Sequence, residues 1–315
     1  MSDAWAEGRD RWELDRRPAD VLLIGSQVAF GSVGMNGVLP RLDDARAMPL
    51  PTVVLSNLPH YPSVHAAPMP ADWLREAIGD LDALGVLDEI DTVCTGYFAA
   101  PEQVEAVADA LEPLLMRRPG LRVLVDPTLG DADVGLYTDP AVAPALRSRL
   151  LPLATGIVPN RFELALLSEA DAGVSARSET GAGVGRERDS DAAPSTSRGE
   201  GRFARTHATD TPAGSAQVRG SGTTEADLAA AARALLGPRA EWAVVSGGAA
   251  SGGDTLVDLI VTRDGVWRRE HPLIPTTVKG TGDAFCGALL SALRGGRAVA
   301  DAVDAASAVV RALLT

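Results

Sequence analysis

Short apolar runs, separated by polar stretches bearing glycine and proline, set the rhythm of this chain. Val21-Leu22-Leu23-Ile24 is apolar without alternation. Thr52-Val53-Val54-Leu55, Thr92-Val93-Cys94-Thr95, Arg122-Val123-Leu124-Val125, Gly156-Ile157-Val158 and Trp242-Ala243-Val244-Val245 follow the same habit. Runs this short, apolar on successive residues, predict strands covered on both faces, as in a parallel sheet. Between them the period changes to that of a helix. Residues 71–84 carry helical spacing, 101–117 read as an amphipathic helix opening on Pro101, a helix is expected from about Arg161, and 225–236 read as an alanine-rich helix. Two more strands are predicted at 254–262 and 266–273, and two helices, about 283–294 and 298–313, close the chain. Strands alternating with helices predict an α/β fold, a mainly parallel central sheet flanked by helices in three α/β/α layers.

Two stretches fall outside this pattern. Residues 1–19 read as an N-terminal tail. Residues 171–224 are rich in Gly, Ser, Thr, Ala and Arg, hold seven acids against seven arginines, and have Phe203 as their only aromatic residue. So little apolar surface does not offset the entropy of ordering, so a disordered insertion is expected, dividing one domain into 20–170 and 225–315. The same composition also suits a lid that orders on a ligand.

Charge narrows the classes of partner. The 29 basic and 42 acidic residues leave a net charge of −13, which argues against nucleic acid and against an anionic membrane surface. No apolar stretch approaches the roughly 18 residues of a membrane span. The polar, acid-rich N-terminus has no apolar core of a secretory signal, so the expected compartment is the cytoplasm. Two cysteines, Cys94 and Cys286, are too few for a disulfide scaffold or a zinc cluster.

The strongest chemical signal is Lys279-Gly280-Thr281-Gly282-Asp283 just before a predicted helix. Small residues there let backbone N–H groups converge on an anion at the positive end of the helix dipole. Asp283 in that place reads either as an N-capping aspartate or as a base that takes a proton from a hydroxyl attacking phosphorus. Asp126, in Asp126-Pro127 at a strand end, and Glu163, in Pro159-Asn160-Arg161-Phe162-Glu163, could hold Mg²⁺ directly or through waters. Each taken alone also reads as a turn aspartate or a first-turn helix acid. Lys279, the only lysine, reads as a surface residue or as a cation near a triphosphate. His60, His65 and Cys286 read as loop and packing residues. There is no Walker A loop, and Gly25 to Gly34 lack the dinucleotide-binding spacing.

Taken together these motifs resemble the ribokinase-like superfamily and, within it, the pyridoxal kinase family. The resemblance rests on Ser26-Gln27-Val28-Ala29-Phe30-Gly31-Ser32-Val33-Gly34, on Pro49-Leu50-Pro51-Thr52-Val53 through Ser56-Asn57, and on Thr95-Gly96-Tyr97. Asp126-Pro127, Pro159-Asn160 with Glu163, and Gly280-Thr281-Gly282-Asp283 follow in the same order. It implies a ribokinase-like fold and ATP-dependent phosphorylation of the 5′-hydroxymethyl group of pyridoxal. Ser26 and Thr52 would bond the polar groups of the pyridine ring, Tyr97 would pack beside it, and Phe30 would form an aromatic wall. Asp283 would be the base, and the amides of Gly280, Thr281 and Gly282 would stabilise the transferring phosphoryl group. Asn160, Ser246 and Lys279 would lie on the ATP side, and Asp126 and Glu163 would organise Mg²⁺. K⁺ as a further ion and a homodimer are implied as well.

Two positions depart from the family pattern. Met35 stands where an asparagine is usual, with Asn36 adjacent, and Phe30 stands where a tyrosine is usual. Two alternatives stay open on the residues alone: a hydroxymethylpyrimidine or sugar kinase of the same superfamily, and a non-catalytic protein that binds the vitamer.

Overall fold

A computed structural model describes residues 18–42, 45–169, 223–250 and 255–315. The tail at 1–17 and the centre of the expected insertion, 170–222, lie outside the described residues. The strands are β1 (Val21–Val28), β2 (Ala47–Leu55), β3 (Ala66–Pro68), β4 (Thr92–Thr95), β5 (Arg122–Val125), β6 (Gly130–Asp131), β7 (Gly135–Leu136), β8 (Gly156–Ile157), β9 (Trp242–Ala250), β10 (Thr255–Val261) and β11 (Val266–Pro272). The helices are α1 (Met35–Val38), α2 (Ala71–Ala83), α3 (Pro101–Arg117), α4 (Val142–Ala145), α5 (161–169), α6 (Glu225–Ala234), α7 (Thr281–Arg294) and α8 (Val299–Leu314).

Nine strands form one sheet in the order β11-β10-β9-β8-β5-β4-β1-β2-β3. The six from β9 to β2 pair in parallel, whereas β3 at one edge and β10 and β11 at the other pair antiparallel. The parallel centre is what the unalternating apolar runs require, because both faces are covered. In β1, Leu22 and Ile24 enter one core layer and Val21 and Leu23 the other. The first layer packs under α2, α3 and α6; the second lies under α1, α7 and α8.

Helix α3 shows how local pattern becomes packing. Pro101 occupies its first turn, where a missing N–H costs nothing. Val104, Val107, Ala108, Leu111, Leu114 and Leu115 recur at helical spacing and are buried. Truncating the fully buried Leu111 to alanine would cost about 2–5 kcal/mol. Small residues do the corresponding work on the other face, where Ala284 and Ala288 of α7 and Ala302 and Ala306 of α8 are buried.

Local pattern and structure differ at β1. The apolar run predicts a strand over 21–24 that gives way to loop at Gly25. The strand continues through Val28, because Ser26, Gln27 and Val28 pair with Val53, Val54 and Leu55 of β2. Polar side chains at 26 and 27 hide from the sequence a strand whose ladder is supplied by its neighbour. Ser26 is thereby placed on a strand rather than a loop.

Candidate active site

The first turn of α7 meets the segment after β1. Gly280 precedes the helix at φ +89°, and a Cβ there would lie 2.0 Å from the Ser32 carbonyl oxygen, so only glycine fits. The helix starts at Thr281, two residues earlier than its apolar pattern suggests. Its first closing bond runs from the Ala284 N–H to the Gly280 carbonyl. The N–H groups of Thr281 and Gly282 precede that bond at the positive end of a 14-residue helix, an arrangement suited to an anion.

Asp283 follows on the same turn. The Gly34 amide and its own amide favour its charged carboxylate. Burial, reinforced by the charge of Asp126, nevertheless pushes its pKa up to about 7. Gly34 has φ +58°, and a Cβ on it would fall 2.2 Å from Ser26 Oγ. Ser26 and Asp283 therefore close on the same glycine, and both line a narrow pocket with Tyr97, Asp126 and Cys286. Cys286 lies beside Asp126 and favours its charged form, and its sulfur lies 3.9 Å from that of Cys94, 192 positions away in the chain. Both thiols are buried and free, as packing residues should be.

Asp126 ends β5 in a tight turn. Thr128 takes φ +42°, an unfavourable region for a β-branched residue. It is held there because its N–H and hydroxyl both donate to Asp126 Oδ1, at 3.2 and 3.0 Å. Burial raises the pKa of Asp126 against these bonds. Glu163, only 4% exposed, is raised first by burial and then by the Asp126 charge.

The structure adds a second role for Glu163. Its Oε2 accepts from the Asn160 N–H at 2.9 Å, while its own N–H donates to Asn160 Oδ1 at 2.9 Å, which is a reciprocal cap on α5. Its Oε1 accepts from Leu129 N–H at 2.9 Å. Asn160 Nδ2 donates in turn to the Gly130 carbonyl at 2.8 Å. Both residues thus brace the start of the β6–β7 hairpin, which apolar periodicity gave no means to see. Among the described residues no group of three or more His, Cys, Asp or Glu could by itself hold a metal ion. The two carboxylates are near enough for the charge of Asp126 to raise Glu163, and a hydrated magnesium, its remaining ligands waters and phosphate oxygens, would offset that repulsion. Asp126 is the freer of the two.

On the expected ring side, Tyr97 lines the pocket, and burial raises its phenol. Thr52 departs from the expected direct contact. It is fully buried, and its hydroxyl donates to the Tyr97 carbonyl at 2.6 Å, so it braces Tyr97 from behind. Phe30 is 68% exposed and faces Tyr61, with ring centroids 6.4 Å apart, rather than walling the pocket. The Met35–Asn36 departure has a simple resolution. Met35 is buried beneath the pocket, and Asn36 Nδ2 donates to the carbonyls of Val28 and Gly31 at 2.7 and 3.1 Å, stitching the bend after β1.

At the other end of the site Asn160, just past β8, and Ser246, within β9, form a parallel bridge, and the Ser246 N–H donates to the Pro159 carbonyl at 3.0 Å. Lys279 is neither a free surface residue nor an unpaired cation. Its Nζ lies 3.2 Å from Asp131 and 3.0 Å from Asp133 on the β6–β7 hairpin.

A mostly parallel sheet between two helical layers, with an anion turn and a carboxylate at the start of α7, is the ribokinase-like class of small-molecule kinase. A pyridoxal kinase structure from Entamoeba histolytica superposes with a TM-score of 0.72 at 19% identity, covering 95% of this chain and 89% of that one. The Leishmania donovani pyridoxal kinase in complex with ADP and pyridoxamine gives 0.70 at 23% identity, covering 93% and 88%. Sequence carries the relationship further. The pyridoxine/pyridoxal/pyridoxamine kinase of Bordetella bronchiseptica is 37% identical over 302 residues, 94% of this chain and 89% of that protein, and its Bordetella pertussis counterpart is 36% identical over the same shares. A family described as phosphomethylpyrimidine kinase matches residues 215–315, the part that holds Gly280 to Asp283 but not Ser26, Thr52 or Tyr97. The chain belongs to the pyridoxine/pyridoxal/pyridoxamine kinase family.

Proposed function

We propose that this protein transfers the γ-phosphoryl group of ATP to the 5′-hydroxymethyl group of pyridoxal, giving pyridoxal 5′-phosphate and ADP, with pyridoxine and pyridoxamine as further acceptors. The observation that carries this reading is the position of Asp283, at the start of α7 in one pocket with Ser26 and Tyr97 and beside Asp126. Ser26 would bond a polar group of the ring and Tyr97 would pack beside it, with Thr52 holding Tyr97. Asp283 would take the proton of the hydroxymethyl group as its oxygen bonds to the γ-phosphorus. The bond from that phosphorus to the β–γ bridging oxygen breaks, and the electron pair leaves with ADP. The amides of Thr281 and Gly282, opened by the turn at Gly280, would take the charge of the transferring group. A pKa near 7 lets Asp283 be ionised for this work at neutral pH and still be basic enough to accept a proton.

Asn160 and Ser246 would border the ATP phosphates, and Lys279 would exchange its present carboxylates for them. Magnesium, when bound, neutralises phosphate charge; Asp126 would hold it, and Glu163 would add charge from behind. The reading includes K⁺ as a further ion, a homodimer and a cytoplasmic setting. Among the described residues no helix is long and apolar enough to cross a membrane.

The description of the matching C-terminal family favours a second reading, hydroxymethylpyrimidine as the acceptor. An ADP-release assay with pyridoxal, pyridoxine, pyridoxamine, hydroxymethylpyrimidine and ribose decides between them. The highest kcat/KM is expected with a B6 vitamer. A preference for the pyrimidine would replace the first reading with the second. Vitamer binding without ADP release would make the protein a binder.

A further inference from the structure

A buried carboxylate away from the phosphoryl pocket controls the backbone at its nucleotide end. Asp258, on β10, is only 2% exposed. Its Oδ1 accepts from the Gly247 N–H at 2.9 Å, and its Oδ2 accepts from the Ser307 hydroxyl of α8 at 3.1 Å. His271 Nε2 of β11 lies 3.4 Å from the same Oδ2, within reach of electrostatic attraction but off hydrogen-bond alignment. On the other side of that ring, Arg311 lies 3.2 Å from Nδ1. A guanidinium only donates, so Nδ1 is the acceptor in this contact.

The ladder shows why a carboxylate is needed there. Val257 pairs with Ala249 and Leu259 with Val245, so the single residue Asp258 stands opposite three residues of β9, Ser246, Gly247 and Gly248. Regular antiparallel pairing would set one residue against one, so β9 bulges by two residues at this point. Gly247 turns through φ +60° inside the bulge. Its N–H finds no ladder carbonyl and donates instead to the Asp258 side chain. The residue immediately before it, Ser246, is bridged to Asn160. This buried acid, set opposite Arg269 of β11 in the ladder, thus ties down the β9 bulge through its side chain.

We propose that Asp258 is a positioning residue for the nucleotide side of the active site: by holding the Gly247 amide in the β9 bulge, it sets Ser246 for ATP. This rests on the reading above that Ser246 and Asn160 border the nucleotide. Asp258 touches no substrate in this account and acts through Gly247. Asparagine can still offer an oxygen to Gly247 and an NH₂ to Ser307, whereas alanine offers neither.

The test is ADP binding by calorimetry, together with KM for ATP and for pyridoxal, on the wild type, Asp258→Ala, Asp258→Asn and Gly247→Ala. Loss of a hydrogen bond to a charged group should weaken ADP binding and raise the ATP KM about tenfold in Asp258→Ala, with the pyridoxal KM little changed. Asp258→Asn should recover most of the loss. Gly247→Ala, which strains the bulge while keeping the acid, should reproduce the ATP defect. It also serves as the test if Asp258→Ala fails to fold. A lowered melting temperature with unchanged ADP affinity, or equal damage to both KM values, would reduce Asp258 to a structural residue and overturn the proposal. ADP calorimetry needs no acceptor, so the proposal can be judged even if no B6 vitamer is phosphorylated.

Discussion

The Gly34 amide lies against the Asp283 carboxylate and favours its charged form. This contact joins the bend that follows β1 to the first turn of α7, which carries the candidate base. Gly34 also packs on Ser26, so Ser26 and Asp283 are held in register by backbone that tolerates no side chain.

Replacing Asp283 by asparagine removes the proton acceptor and leaves the shape. kcat is expected to fall about 10²–10⁴-fold, the range of a lost general base, with little change in melting temperature. In the wild type kcat/KM should rise with pH through one ionisation near 7, because burial and Asp126 hold the base there. Stopped or steady-state assays across pH 5.5–8.5 (about three units around the expected value) check both. Near-normal turnover in the variant would remove Asp283 from the mechanism.

Glu163→Gln separates capping from metal binding. Both carboxylate oxygens accept backbone N–H groups, and glutamine turns an NH₂ toward one of them. A buried donor left without an acceptor costs about 1–3 kcal/mol, so the melting temperature should drop. The magnesium requirement should change less in this variant than in Asp126→Asn, as a titration of activity with MgCl₂ would report. The reverse order would make Glu163 the principal metal residue.

The ligand-free protein should lose stability as pH rises from the ordinary carboxylate range to about 7. Asp126, Glu163 and Asp283 all have raised pKa values in the fold. Across that window the folded state keeps protons that the unfolded chain has released, so unfolding becomes more favourable with each increment of pH. Thermal melts should show the decline, and Asp126→Asn should flatten it by removing one charge and relieving the other two. A melting temperature independent of pH from 4.5 to about 7 would contradict it.

Lys279→Ala should raise the KM for ATP and leave that for pyridoxal alone, since a triphosphate competes with Asp131 and Asp133 for the ammonium. An unchanged ATP KM would confine Lys279 to pinning the β6–β7 hairpin.

Much of this molecule is local, and what is local could be read in the chain. The doubly covered strands β4, β5 and β9, the helices α2 and α3 and the Gly280 to Asp283 turn announce themselves because each depends on near neighbours: apolar period, a first-turn proline, a glycine that must turn. The charge of −13 argued against some classes of partner, and the order of motifs pointed to the family. Contacts between distant segments could not be read this way. That Thr52 faces Tyr97, that Glu163 caps α5 through Asn160, that Cys94 meets Cys286 and that Asp258 reaches Gly247 all depend on which strands become neighbours. The sheet order puts β4 between β1 and β5 and β10 beside β9, and only then do these side chains come within reach. Residue type and spacing determined which groups could do chemistry. Burial and proximity, which exist only in the folded chain, decided their charge, their partners and the direction each one faces.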